Sequence, residues 1–246
     1  MRADQLLVER GLAATRSQAQ RLIATGVRWL APGGWRPVAK NGDEIPAHAE
    51  LELLDDAETR YVSRGGLKLE GALKAAGLDP AGLRCLDVGQ STGGFTDCLL
   101  QHGAAHVTGV DVGHGQLHPS LRLDGRVTAL EKLNARELTL APLGGQPFGL
   151  VVGDLSFISL TLVLPALVPL LAPGGQLLML VKPQFELQPG QVGKGGIVAD
   201  PALHAVVRSR IEAACDALGL QLGGWYDSPI AGGDGNREFF VHARRP

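Results

Sequence analysis

Cysteine is scarce in this chain. Only Cys85, Cys98 and Cys215 occur among 246 residues. An odd number without ligand spacing argues against a disulfide framework or a thiolate metal site, and reads as small core residues in a reducing compartment. His114 and His118 stand four apart, but in a Gly/Pro-rich stretch, so no metal is expected. No long apolar span exists either. The run from Ile158 to Leu180 is interrupted by Pro165, Pro169 and "APGG", short of the ~18 uninterrupted residues a membrane helix needs. Arg2, Asp4 and Glu9 break any signal-peptide pattern. The expectation is a cytoplasmic protein without stable membrane insertion.

Charge of one sign is also missing. The formal net charge is −2, which excludes a global basic field for nucleic acid. The average hides an asymmetry. Residues 1–40 hold seven Lys/Arg against Asp4 and Glu9, whereas residues 41–59 hold seven acids and no Lys/Arg. Lysine itself is rare, six against seventeen arginines.

What is present falls into two parts. In the first 59 residues, "RADQLLVERGL" is a short apolar-faced segment with a Gly stop. "ATRSQAQRLIATG" opens on Thr15 with Gln18 three residues on, a capping-box pattern, and Gly26 ends it. Arg10, Arg16, Arg21 and Arg28 are left for the solvent side or the helix ends. "VRWLAPGGWRPV" predicts a hairpin turning at Pro32-Gly33-Gly34, and "DEIPAHAELELL" a return to strand. A helix is expected from about Leu67. Strands are then expected at Arg84–Val88, His106–Asp111, Arg126–Ala129, Leu150–Asp154, Gln176–Lys182, Leu220–Tyr226 and Glu238–Ala243, mostly with helices between them. That alternation predicts a parallel α/β sheet. The last two strands are joined only by "SPIAGGDGN", too short for a crossover helix, so they should pair antiparallel.

"CLDVGQSTGGFTDCLL" carries the first chemical signal. A strand ends at Asp87, and Gly89, Gly93 and Gly94 follow before a helix. Such a turn lets backbone approach a ligand and offers helix N–H groups to an anion. Asp111, at the end of the next strand, can accept both hydroxyls of a ribose. The spacing is G-x-x-x-G-G rather than the G-x-G-x-x-G of dinucleotide sites. Asp87 would repel a pyrophosphate but suits an ammonium. S-adenosylmethionine carries both an ammonium and a carboxylate, and is favoured over a nicotinamide dinucleotide.

Four ionisable residues sit at element ends facing the same edge: Lys68, Asp154, Lys182 and Glu238. A ribose 2′-hydroxyl is a weak acid, and its methylation needs a nearby base or a cation that stabilises developing alkoxide. A lysine serves as base only if burial or a neighbouring cation lowers its pKa. Two lysines held by two carboxylates meet that requirement without leaving net charge.

The stretches "RYVSRGGLKLEGAL", "DVGQSTGGFTDCLL", "GVDVGHGQL", "NAREL", "DLSFISL", "VKPQFE", "GQVGKGGIV" and "GNREFF" closely resemble the TlyA family, across nearly the whole chain. The resemblance implies an S-four-type α+β RNA-binding domain over residues 1–59, a linker at 60–63, and a Rossmann-like FtsJ-type methyltransferase domain over 64–246. It implies S-adenosylmethionine-dependent 2′-O-methylation of cytidine in ribosomal RNA, with ribosomal subunits as partners and the tetrad Lys68, Asp154, Lys182 and Glu238 as catalytic. Asp87, Gly89, Ser91, Thr92, Gly93 and Asp111 match the cofactor pocket, with Gly94, Phe95 and Asn134 in the same motifs. Arg2, Arg10, Arg16, Arg21, Arg28, Arg60 and Arg64 are the expected RNA contacts. The linker "RYVS" is implicated in the family in coupling RNA contact to cofactor binding. Gln90 departs from the family, which often has Ala there. The "WLAPGGWRPV" hairpin departs from the S-four pattern. The chain stops soon after its last strand, as in the type associated with large-subunit RNA. The alternatives are an RNA-binding protein with an inactive methyltransferase fold, a nicotinamide oxidoreductase, and the membrane lysis suggested by the hemolysin name that many members carry.

Overall fold

A computed structural model describes residues 1–54 and 60–246. They form two compact units, Met1–Ser63 and Arg64–Pro246. The boundary expected at residue 59 lies outside the described residues.

In the first unit, helices α1 (Ala3–Glu9) and α2 (Arg16–Gly26) pack on a three-stranded sheet of order β2-β1-β3. The strands are β1 (Val27–Ala31), β2 (Gly34–Pro37) and β3 (Leu51–Leu53). Leu6, Leu7, Leu22, Ile23 and Val27 fill the core. Thr15 Oγ1 accepts from the Gln18 N–H, but the Gln18 amide answers to the Ala14 N–H. The reciprocal half of the expected capping box is therefore displaced by one residue. The return strand is shorter than expected. Before β3 only a single bridge, Arg2 to Glu44, pairs, because Pro46 removes a ladder donor. Asp4 is fully buried and accepts from Arg2, Arg16 and Gln20, which joins α1 to α2. These bonds, the Arg2 side chain foremost, hold its carboxyl well below the usual range.

The second unit is a seven-stranded sheet of order β6-β5-β4-β7-β8-β10-β9. Its strands are β4 (Arg84–Val88), β5 (His106–Asp111), β6 (Val127–Glu131), β7 (Phe148–Gly153), β8 (Leu171–Val181), β9 (Gln221–Asp227) and β10 (Phe239–Arg244). The five strands from β4 to β8 are parallel, and β10 and β9 run antiparallel, as the short connection requires. The order reverses between β4 and β7, so the ligand crevice of a doubly wound sheet opens above these two strands. Strand β8 is longer than expected. "APGG" does not end an element but bulges within it, and the pairing with β7 shifts between Phe148 and Leu150.

The helices of this unit are α3 (Gly65–Ala76), α4 (Gly94–Gln101), α5 (Pro119–Arg122), α6 (Leu164–Leu167), α7 (Pro183–Glu186) and α8 (Pro201–Ala217). Helix α3 begins two residues before Leu67 and ends at left-handed Gly77, a common helix stop. The apolar run 158–180 becomes short helical turns and then β8, with Leu164, Leu167, Leu177 and Met179 in the main core. Among the described residues, no helix is long and apolar enough to cross a membrane.

Candidate active site

The turn after β4 is held from beneath. The N–H groups of Gly89 and Gln90 both donate to the Val110 carbonyl of β5. Gly89 has φ 84°, and a Cβ there would come within 2.5 Å of the Asp154 carbonyl oxygen. The close approach of the β4 turn to the end of β7 thus requires glycine. Gly93, φ 96°, lies under Leu121, whose Cδ1 would be 2.3 Å from a Cβ.

Asp87 is buried, and its Oδ2 accepts from Thr96 Oγ1 at 2.7 Å. Gln90 Nε2 in turn donates to Thr96 Oγ1 at 2.9 Å. The other oxygen, Oδ1, is buried without a partner. Burial, together with the charges of Asp154 and Asp111, outweighs the Thr96 hydrogen bond and pushes the Asp87 carboxyl up to about 7. A buried, half-satisfied carboxylate of this kind favours a cationic partner. Asp111 Oδ2 accepts from the Ser91 N–H and Oδ1 from the Gly113 N–H, each at 2.7 Å. Each oxygen keeps a second lone pair for a ligand hydroxyl.

A pocket of about 360 Å³ opens here, lined by Gly89, Ser91, Asp111, Asp154, Ser156 and Phe157, with apolar neighbours such as Leu133. Two residues expected to contact a cofactor do not line this pocket. The Phe95 ring is buried and stacks on Phe240, 6.1 Å between centroids. Asn134 caps the turn 135–137 by accepting from the Arg136 N–H. Thr92, Gly93 and Gly94 shape the turn without lining the pocket.

The four ionisable residues do converge. Asp154 sits just beyond β7, and its Oδ1 lies 2.6 Å from Lys182 Nζ. Its Oδ2 is 4.0 Å from Lys68 Nζ, and Lys68 is 2.6 Å from Glu238 Oε2. Asp154 is thus shared between the two lysines and also lines the pocket. Both 2.6 Å contacts are close ion pairs, and Lys182 Nζ also donates to Ser156 Oγ at 2.9 Å. Burial raises the Glu238 carboxyl even though Lys68 and Lys182 pull it down.

Sequence reasoning passed over Ser156 and Phe157. Phe157 has φ 64° and is 90% exposed, a strained position for a bulky side chain. Its ring lies 5.0 Å from that of Phe185. Glu186 fixes the loop behind it by accepting from Ser159 Oγ and the Leu160 N–H.

The arginines expected to meet RNA are partly committed elsewhere. Arg2 and Arg16 hold Asp4, Arg10 donates to the Ala47 carbonyl, and Arg28 pairs with Glu52 beneath the Trp35 ring. Arg60 lies over Tyr61, and Arg64 donates to the Ala231 carbonyl.

Comparison with known proteins places the fold in a family. Residues 61–245 match the FtsJ-like methyltransferase family. The chain is 47% identical over 243 residues to the 16S/23S rRNA (cytidine-2′-O)-methyltransferase TlyA of Mycobacterium tuberculosis, covering 99% of this chain and 89% of that one. It is 36% identical over 194 residues to the 23S rRNA (cytidine-2′-O)-methyltransferase TlyA of Campylobacter jejuni, covering 78% and 73%. A solved structure described as a hemolysin from Streptococcus thermophilus is 42% identical, with a TM-score of 0.77, covering 100% of this chain and 88% of that one. The sheet order, the glycine turn after β4 and these likenesses lead to one assignment: the chain belongs to the FtsJ-like methyltransferases, among the TlyA-type proteins.

Proposed function

We propose that the protein methylates the 2′-hydroxyl of a cytidine in ribosomal RNA, with S-adenosylmethionine as donor, acting on ribosomal subunits in the cytoplasm. The observation that carries this reading is the position of Asp154. It lines the pocket beside Gly89 and holds Lys182, while Lys68 and Glu238 stand behind it.

The pocket and the groups behind it suit that donor, although Asp87 itself is buried and does not line the pocket. Asp87 Oδ1 is a buried acceptor left for an ammonium, Asp111 offers lone pairs to ribose hydroxyls, and the Gly89 turn admits close backbone approach. S-adenosylmethionine supplies an electrophilic methyl group on a sulfonium. Lys182 stabilises the alkoxide that develops on the ribose oxygen, and its link to Ser156 orients the ammonium toward the pocket mouth. Asp154 holds Lys182 in place, and its carboxylate takes the hydroxyl proton, since the Lys182 ammonium has no lone pair to accept it. Lys68, paired with Glu238, stands against the other oxygen of Asp154 and helps fix it, and the four formal charges sum to zero. Positioning supplies much of the acceleration in such a displacement.

Phe157 gives the target base a surface. An exposed ring on a strained backbone, backed by Phe185, suits stacking of a base taken out of its helix. Within the N-terminal unit, residues 1–40 carry seven Lys/Arg against two acids, which supports RNA contact there. With Arg2 and Arg16 held by Asp4 and Arg10 by the Ala47 carbonyl, that contact falls to exposed residues such as Arg36 and Lys40.

The test is methyl transfer from labelled S-adenosylmethionine to unmodified large and small subunits separately, with mapping of 2′-O-methyl groups. Label on a cytidine ribose supports the reading, and the subunit labelled decides between large-subunit and dual specificity. Cofactor binding without label on either subunit overturns it and favours the RNA-binding alternative. The hemolysin reading has less support, since the longest apolar run forms core turns and a central strand.

A further inference from the structure

Glu238 is reached by a loop, residues 228–238, that has little regular structure. Its carboxylate nevertheless occupies a defined place. A Cβ on Gly232 would come within 2.7 Å of Glu238 Oε1, so the carboxylate rests directly on that glycine's backbone. What holds Gly232 is a polar brace. Its N–H donates to the Asn236 carbonyl at 2.9 Å. The Asn236 N–H donates to Asp234 Oδ1 at 3.0 Å, and Asn236 Nδ2 donates to Asp234 Oδ2 at 2.8 Å.

The Asn236 side chain is 1% exposed and its amide is used from both ends. Oδ1 accepts from the Val198 N–H at 2.9 Å, and Nδ2 also donates to the Gly196 carbonyl at 2.9 Å. Asp234 Oδ2 accepts in addition from Gln184 Nε2 at 3.0 Å, and Gln184 lies two residues beyond Lys182. One asparagine and one aspartate therefore tie together the segment leaving β8, the glycine-rich segment 193–198, and the loop that delivers Glu238. Partial burial raises the Asp234 carboxyl, but the bonds from Asn236 and Gln184 outweigh it and leave it below its ordinary range, consistent with a brace built around an ionised carboxylate.

We propose that Asn236, acting through Asp234, is a positioning residue that sets Glu238, and through it Lys68, against Asp154. This rests on the reading of Lys68 and Glu238 as part of the methyl-transfer site.

The experiment compares wild type, Asn236→Ala and Asn236→Asp for kcat and KM with ribosomal subunits, S-adenosylmethionine affinity, thermal midpoint, and hydrogen exchange at the Val198 N–H. Asn236→Ala should lower kcat by about tenfold or more, leave cofactor affinity within about twofold, and speed exchange at Val198. Asn236→Asp keeps the acceptor for Val198 but sets a second carboxylate against Asp234. Two carboxylates sharing a site bind a proton more readily, so the ratio of variant to wild-type kcat should recover as pH falls from about 8 to about 6. A merely structural asparagine would not produce that recovery. Wild-type kcat in both variants, or a loss that follows the thermal midpoint with a flat pH ratio, overturns the proposal. If wild type itself transfers no methyl group, the reading of the site fails, while unchanged Val198 exchange in Asn236→Ala would separately overturn the brace.

Discussion

Lys182 Nζ stands 2.6 Å from Asp154 Oδ1, at the point where the pocket meets the ion-pair cluster. Removing the ammonium leaves Asp154 with only Lys68, 4.0 Å away. Lys182→Ala should lower kcat by about 10²–10³-fold, the range for loss of one preorganised oxyanion donor, with S-adenosylmethionine affinity nearly unchanged. Isothermal titration beside single-turnover transfer separates the two quantities.

Asp87 titrates against the fold. Its carboxyl is raised from 3.8 to about 7. Between those values the native state holds a proton that the unfolded chain has released, so this residue's contribution falls as pH rises. Asp87→Asn should therefore raise stability at pH ~8 by on the order of 1–2 kcal/mol and flatten its dependence over that window. The same change should weaken cofactor binding, because the acceptor for an ammonium is lost. Urea midpoints at several pH values and a binding titration check both halves.

Phe157 should show opposite effects on stability and activity. Phe157→Gly relieves a left-handed backbone, φ 64°, and should stabilise the protein by about 1 kcal/mol. It also removes the exposed ring and should raise KM for the ribosomal substrate, while cofactor affinity stays within about twofold. A thermal scan alongside KM for subunits gives both signs in one variant.

Asp4 should control the N-terminal unit alone. Its carboxyl is held below 3.8 by Arg2 and Arg16, so its stabilisation is present above that value and fades as pH falls below it. Asp4→Asn leaves two guanidinium groups without their buried partner and should cost on the order of 2 kcal/mol. Hydrogen exchange that rises in α1 and α2 but not in β4 or β7 is the expected result.

Strand-end positions were the legible part of the site. Asp87, Asp111, Asp154 and Lys182 each close an alternating or apolar run, and the crevice of a doubly wound sheet gathers such ends. The two-helix opening was also readable, from Thr15 and Gly26. Side-chain direction was not. Phe95 and Asn134 stand in the same motifs as residues that line the pocket, yet one turns into the core and the other caps a turn. Phe157 was passed over in the sequence, and its exposure at a positive φ is visible only in the structure. Nor could the run of arginines reveal that Asp4 claims two of them. The full length of β8 was hidden because Pro173-Gly174-Gly175 has the composition of a turn, while a bulge carries the pairing through it.

The near-contact of Gly89 with the Asp154 carbonyl has a consequence for how this enzyme type can change. On the reading proposed above, the donor side stands on β4 and the acceptor side on β7, two strands bonded in fixed parallel register. Adjacent strands lie about 4.8 Å apart, and the Asp154 N–H is itself bonded to the Val88 carbonyl. The sheet therefore acts as a ruler between the two halves of the reaction. Loops and rim residues such as Phe157 are free to drift toward new RNA shapes, while the reach of the transfer stays constant.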